Sequence, residues 1–152
     1  MSISASACPS GDEKVVLFGL MLETNARLTK ELGAALESSC QLPFAWFEVL
    51  LQLRQSPDGR LKMSQMADAI VHSTGGTTRL VDRLEEASLV RRENCPSDRR
   101  SVFVAITDEG NSKLDGALGV HLEYLNENLG ARLDTSEREV LAGLLSKLNV
   151  SR

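Results

Sequence analysis

A chain of 152 residues, 42% hydrophobic and 25% charged, has the size and composition of one folded domain, and its 4% aromatic content leaves Leu, Val, Ala and Met to fill the core. The net charge of −4 excludes a protein coated in positive charge, yet residues 54–100 carry nine Lys/Arg against seven Asp/Glu, between acidic flanks. The apolar run Val15 to Leu22 is soon interrupted by Glu23, Asn25 and Arg27, too short for a membrane span, and residues 1–11 lack a signal peptide's basic start, so a disordered tail on a cytoplasmic protein without membrane contact is expected.

Ser10-Gly11-Asp12-Glu13 has the form of a capping box, and Leu17, Met21, Leu28, Leu32 and Ala35 then recur at helical spacings, which predicts a long first helix ending near Ser38-Ser39. Pro43 suits the first position of a second helix carrying Phe44, Phe47, Leu50 and Leu51, closed by the turn signal Ser56-Pro57-Asp58-Gly59. A short extended piece, Arg60-Leu61-Lys62, leads to a third helix from about Met63 to Val71. Ser73 can cap a fourth that reaches Ala87 or Ser88. Two β-rich runs follow, Leu89 to Glu93 and Ser101 to Ile106, and the breakers Asn94 to Arg100 between them predict a β-hairpin. Thr107 caps a fifth helix with Leu114, Leu118, Leu122, Leu125 and Leu129, and Asp134-Thr135-Ser136-Glu137 opens a sixth. The fold class is therefore mainly α, with α+β winged-helix character: six helices and a β-hairpin wing.

Helices three and four, joined by a few residues, match a helix-turn-helix plan. On helix four, Thr77, Leu80, Val81 and Leu84 share the inward face, while Gly75, Arg79, Asp82 and Glu86 lie opposite, flanked by Thr78 and Arg83. That outer face suits a major groove: Arg79 can donate two hydrogen bonds to guanine, and Thr78 can meet a phosphate or a thymine methyl. Gly75 and Gly76 bare the backbone at the helix start, where Ser73 and Thr74 also lie and where the helix favours negative charge. The bland alternative is a solvated helix whose Arg79 and Arg83 pair with Asp82, Glu85 and Glu86. Arg91, Arg92, Arg99 and Arg100 place four guanidinium groups on the hairpin, with Glu93 and Asp98 as partners. An arginine-bearing ribbon tip fits a minor groove. Asp98 pairing with one of Arg99 and Arg100 would hold the wing in shape while the other reaches out.

These segments resemble the MarR family of regulators. The resemblance rests on Ser64 to Ala67, Thr77 to Glu85, Leu89 to Arg92, and Pro96 to Arg100 leading into Ile106 to Gly110, in order and spacing. It implies a homodimer binding a pseudo-palindromic double-stranded DNA operator, usually as a repressor, with small aromatic or anionic effectors lodged between the dimer helices and the DNA-binding lobe. It divides the chain into a tail (residues 1–11), a helical dimerisation region (12–40 and 108–152) and a winged helix-turn-helix domain (41–107). The recognition helix maps onto Thr74 to Ala87, the wing arginines onto Arg99 and Arg100, and the wing-shaping aspartate onto Asp98. Ser88 departs from the pattern, standing where the family has the Gly of a helix-ending turn. Phe18 stands where peroxide-sensing members carry a reactive Cys.

Trp46 on helix two and His72 in the helix-turn-helix are candidate ligand contacts, although the commoner roles of such residues are in a core or on a surface. His121 on helix five is either a dimer-core or a pocket residue. Cys95, with arginines nearby that lower a thiol pKa, is a candidate redox site in the wing. Three cysteines and two histidines far apart make no metal site, and no cofactor is expected. Without GxSxG, P-loop, GxGxxG or HExxH, an enzyme is not expected. The other readings are a thiol-based sensor on the same fold and a winged helix used for protein contact.

Overall fold

A computed structural model describes residues 11–70 and 76–149, the side chain of Arg99 excepted. The expected α1 cap at Ser10, the Val71 end of α3 and the candidates His72, Ser73, Thr74 and Gly75 lie outside the described residues.

Six α-helices frame a small antiparallel sheet: α1 (Glu13–Cys40), α2 (Phe44–Gln55), β1 (Arg60–Lys62), α3 (Met63–Ala69), α4 (Thr77–Glu86), β2 (Val90–Cys95), β3 (Asp98–Ile106), α5 (Asp108–Leu125) and α6 (Thr135–Leu148). The sheet order is β1-β3-β2, with Leu61 opposite Val104 and Arg92 opposite Val104 from the other side. This is the expected winged-helix plan, and several boundaries move for local reasons. α1 is capped by Asp12, whose carboxylate accepts from the Lys14 amide at 2.8 Å. It runs to Cys40 because Gln41 takes the left-handed conformation and donates its amide to Glu37 and Leu36. Pro43 is the N-cap of α2, one residue before the position expected, and its extended backbone starts the helix without a side-chain cap. α3 stops at Ala69 because Ile70 is already extended. The hairpin is longer than expected: the strands pair up to Cys95 and Asp98, leaving only Pro96-Ser97 as the turn, with an irregularity between Asn94 and Cys95.

One hydrophobic core joins the parts. Leu36 from α1, Phe47, Val49, Leu50 and Leu53 from α2, Met66 from α3, Val81 and Leu84 from α4, Val90 and Val104 from the sheet, and Leu114 and Ala117 from α5 pack together. Each of the Leu, Val, Phe and Met side chains contributes about 1.5–3 kcal/mol on burial, which fixes α4 and the sheet on the α2–α5 frame. The first turns of α1 and all of α6 stay outside this core. Val15, Val16, Leu17, Phe18, Leu20, Met21 and Leu22 are exposed, and so are Val140, Leu141, Leu144, Leu145 and Leu148. Among the described residues no helix is long and apolar enough to cross a membrane.

Candidate nucleic-acid interface

α4 is amphipathic in the sense its sequence predicts. Val81 and Leu84 are fully buried, Leu80 and Thr77 half-buried, and Thr78, Arg79 and Arg83 exposed. Its start differs from expectation. The helix begins at Thr77, three residues after Thr74, and Gly76 is its N-cap with φ +132°. An L side chain rarely adopts that backbone conformation, so the glycine breaks the helix instead of lining its first turn. A Cβ on Gly76 would meet only Arg79 side-chain carbons, the nearest at 3.7 Å, so the requirement comes from the φ angle and not from space.

α4 ends in a Schellman motif. The Leu89 amide donates to the Leu84 carbonyl and the Ser88 amide to Glu85, each at 2.9 Å, with Leu84 and Leu89 both buried beneath. Ser88, in the left-handed seat at φ +61°, occupies the position for which glycine is suited. From this turn the chain enters β2, and its base is tied to α5. The Thr107 hydroxyl donates to the Ser88 carbonyl at 2.7 Å and accepts the Gly110 amide at 3.0 Å. Gly110 packs so closely that a Cβ would lie 2.1 Å from the Leu89 carbonyl oxygen.

The charges on α4 are arranged otherwise than simple pairing along the helix would have them. The Arg92 guanidinium, from β2, donates to Asp82 Oδ1 and Glu85 Oε2, each at 2.6 Å, and its amide donates to Glu85 Oε1 at 2.9 Å. That amide and then the guanidinium hold the Glu85 carboxyl below its usual range. Among the described residues, therefore, Arg79 and Arg83 make no ion pair, and both point to solvent.

On the wing, Asp98 works through the backbone. Its carboxylate accepts the Arg100 amide at 2.9 Å and the Ser101 hydroxyl at 2.8 Å, which hold it below the usual carboxylate range. The expected pairing of Asp98 with an arginine side chain is replaced, for Arg100, by this turn-like clamp, and the Arg100 guanidinium is exposed without an ion pair among the described residues. Arg91 and Arg60 share Glu93, at 2.8 and 3.3 Å, and Arg60 also stacks over the Phe103 ring at 4.9 Å. Of the four ribbon arginines, Arg91 and Arg92 are thus occupied within the protein.

The Cys95 thiol is free and half-buried, 3.2 Å from the Ser97 hydroxyl. Its pKa is lowered, as expected, but among the described residues by the Ser97 hydroxyl and then the Ser97 and Asp98 amides, with Lys62 adding a little, and not by an arginine. Trp46 is half-buried against the core. His121 packs edge-on against Phe47 at 4.9 Å within the protomer, and burial pushes its pKa down. Among the described residues no cluster of His, Cys, Asp and Glu can hold a metal ion.

Sequence reasoning missed a second polar joint. Arg54 on α2 donates from Nε to Asn111 Oδ1 at 3.0 Å, from Nη2 to the Asn111 carbonyl at 2.7 Å and from Nη1 to Asp115 at 2.5 Å. Nothing local to Arg54 signals this, because its partners lie more than fifty residues away on α5.

Comparison with known proteins places this geometry. A family model described as MarR family matches residues 41–101. The HTH-type transcriptional regulator YhbI of Bacillus subtilis is 28% identical over 142 residues, covering 90% of this chain and 91% of its own length. YkoM, another HTH-type regulator of that organism, is 30% identical over 92 residues, 60% of this chain and 59% of its own length. The crystal structure of a MarR family transcriptional regulator from Streptomyces coelicolor, in complex with DNA, superposes with a TM-score of 0.80 at 27% identity, covering 90% of this chain and 89% of that one.

Proposed function

This chain belongs to the MarR family of transcriptional regulators, and from that premise we propose that it binds a pseudo-palindromic duplex as a cytoplasmic homodimer and acts as a ligand-responsive repressor. The observation that carries the DNA reading is the exposed pair Arg79 and Arg83 on α4, whose neighbouring carboxylates Asp82 and Glu85 are taken by Arg92. Arg79 reads base edges, Arg83, Thr78 and the backbone around Ser73 to Gly76 meet phosphates, and Arg99 and Arg100 grip the flanking backbone from the wing.

The homodimer reading is supported by the apolar faces left open on α1 and α6. Phe18 is 61% and Leu148 67% exposed. Leu122 on α5, at 60%, continues the same kind of surface. Large apolar side chains left exposed in this number are what an interface would cover. A two-fold pair would set the recognition helices about 34 Å apart, one turn of DNA. A small aromatic or anionic effector would act by preferring a lobe spacing unfit for DNA.

The test is fluorescence anisotropy with duplexes tiling the promoter of its own gene and a random duplex. Affinity should fall steeply with salt. Arg100→Ala should weaken both kinds of duplex, while Arg79→Ala should also relax base preference by about 1–3 kcal/mol. Absence of salt-dependent binding to any duplex would leave protein contact as the reading. Trp46, the one tryptophan of the chain, reports effector binding by its fluorescence.

A second reading rests on Cys95, whose thiol is acidified by Ser97 at the base of the wing turn. Oxidation there would disturb the Pro96-Ser97 turn and release DNA. Cys95→Ser with undiminished oxidant sensitivity removes it.

A further inference from the structure

Arg92 is separated from the other described ribbon arginines by what it touches. Its side chain is 28% exposed, against 59% for Arg91, and it lies across two carboxylates of the recognition helix at 2.6 Å each. Its own amide completes a second bond to Glu85 at 2.9 Å. A bidentate, partly desolvated arrangement of this kind is rigid and directional.

We propose that Arg92 is a positioning residue for DNA recognition: the internal counter-ion of α4, which locks β2 onto the recognition helix and cancels Asp82 and Glu85. The inference rests on the DNA-binding reading above. Its physical basis is the spacing on α4. Asp82 lies three residues after Arg79 and Glu85 two after Arg83, so both carboxylates sit within a turn of the cations that would face the duplex. With Arg92 absent, Asp82 is within reach of Arg79, and whatever charge stays unpaired repels phosphate. With Arg92 present, Arg79 and Arg83 are left to the ligand. The same contact fixes the angle between the helix in the major groove and the ribbon beside it, since Arg92 is in register with Val104 at the centre of the sheet. Arg92 therefore governs affinity without touching DNA.

The experiment uses the full-length protein and anisotropy on the promoter-tiling and random duplexes between about 50 and 200 mM salt. Arg92→Met should weaken both duplexes by about tenfold or more, a factor of the size that coupled charge pairs reach. Adding Asp82→Asn and Glu85→Gln to Arg92→Met should return random-duplex affinity to within about threefold of wild type, because the uncompensated charges are gone. A triple variant as weak as Arg92→Met, with a salt slope lower by about one, would mean that Arg92 binds a phosphate directly and would overturn the proposal. If Arg92→Met does not fold by circular dichroism, the double variant Asp82→Asn/Glu85→Gln decides. It leaves Arg92 without its partners, so random-duplex binding should tighten and its salt slope steepen; an unchanged slope overturns the proposal. Wild-type protein that binds no duplex refutes the DNA reading itself, whereas wild-type binding with the wrong variant pattern refutes only the role of Arg92.

Discussion

Replacing Ser88 with glycine should stabilise the protein, and the structure supplies the magnitude. Ser88 is held at φ +61° by the Schellman bonds that close α4, and its carbonyl is engaged by the Thr107 hydroxyl. The left-handed conformation costs a residue with a Cβ about 1–2 kcal/mol. Glycine removes that cost but adds about 0.4–1 kcal/mol of unfolded-state freedom. Both backbone bonds survive the change, and among the described residues the Ser88 hydroxyl has no hydrogen-bond partner to lose. The net gain is about 0.5–1 kcal/mol, or a Tm rise of about 2–4 °C for a chain of this length at the upper end. Urea denaturation at a fixed protein concentration measures it, since the apparent stability of the proposed dimer would depend on concentration. Ser88→Ala keeps the Cβ and serves as the control, expected near wild type. A Ser88→Gly protein no more stable than Ser88→Ala would refute the reasoning, because the conformational penalty would then not be present at this turn.

Gly110→Ala should do the opposite: its Cβ would lie 2.1 Å from the Leu89 carbonyl oxygen and 2.9 Å from Ile106 Cγ1, and backbone cannot yield cheaply, so a loss of about 1–3 kcal/mol or more is expected in the same denaturation assay. Leu144→Glu places a charge on the exposed face of α6, where it disturbs no core contact within the protomer; sedimentation should show weakened self-association with unchanged helix content, and an undisturbed dimer would exclude α6 from the interface. Burial lowers the His121 pKa, so the folded protein binds its proton less readily than the unfolded chain does. Its contribution is complete above an unfolded pKa of about 6.5 and declines as pH falls toward the lowered folded value. Wild type should therefore lose stability between about pH 7 and 5 more steeply than His121→Phe, which keeps an aromatic edge against Phe47.

The elements were legible because their signals are local. The Asp134 capping box, the Thr107 cap and the Val81/Leu84 stripe of α4 each occupy a few neighbouring residues, and each forms as the pattern predicts. Boundaries shifted where one backbone angle outweighs a side-chain signal. A Ser73 cap with a helix running from Thr74 requires Gly76 to be helical, whereas Gly76 at φ +132° starts the helix only at Thr77. The left-handed Ser88 was legible as a departure from a glycine pattern, because a turn of that kind needs the same conformation whichever residue fills it. Charge partners were the least legible. Arg92 has Glu93 beside it in sequence, yet Glu93 pairs with Arg91 and Arg60, because alternation along β2 sends Arg92 to the opposite face of the sheet, onto α4. Likewise Arg54 finds Asn111 and Asp115 only once α2 and α5 are packed.

The distribution of burial sets what the contact in the proposed homodimer has to accomplish. Leu50, Leu53, Met66, Val81, Leu84 and Val104 are fully buried within one chain, so each protomer holds its own recognition helix and wing in place. α6 has no buried residue, and in the proposed homodimer it would contribute a relation to the second chain. One helix and one ribbon alone bind a duplex mainly through phosphates, with little discrimination. Tying two such units together makes the second binding event intramolecular, and the gain is realised only if their spacing matches the half-sites. An effector of the proposed kind therefore would not need to touch Arg79. In the proposed dimer, a change in the tilt of α5 against the winged part, transmitted at Arg54–Asn111 and Thr107–Ser88, would cancel that gain while each reader stays intact. Random-duplex binding needs no matched spacing, so the quantity such an effector moves is the ratio of operator to random affinity, and not the phosphate-driven part of either.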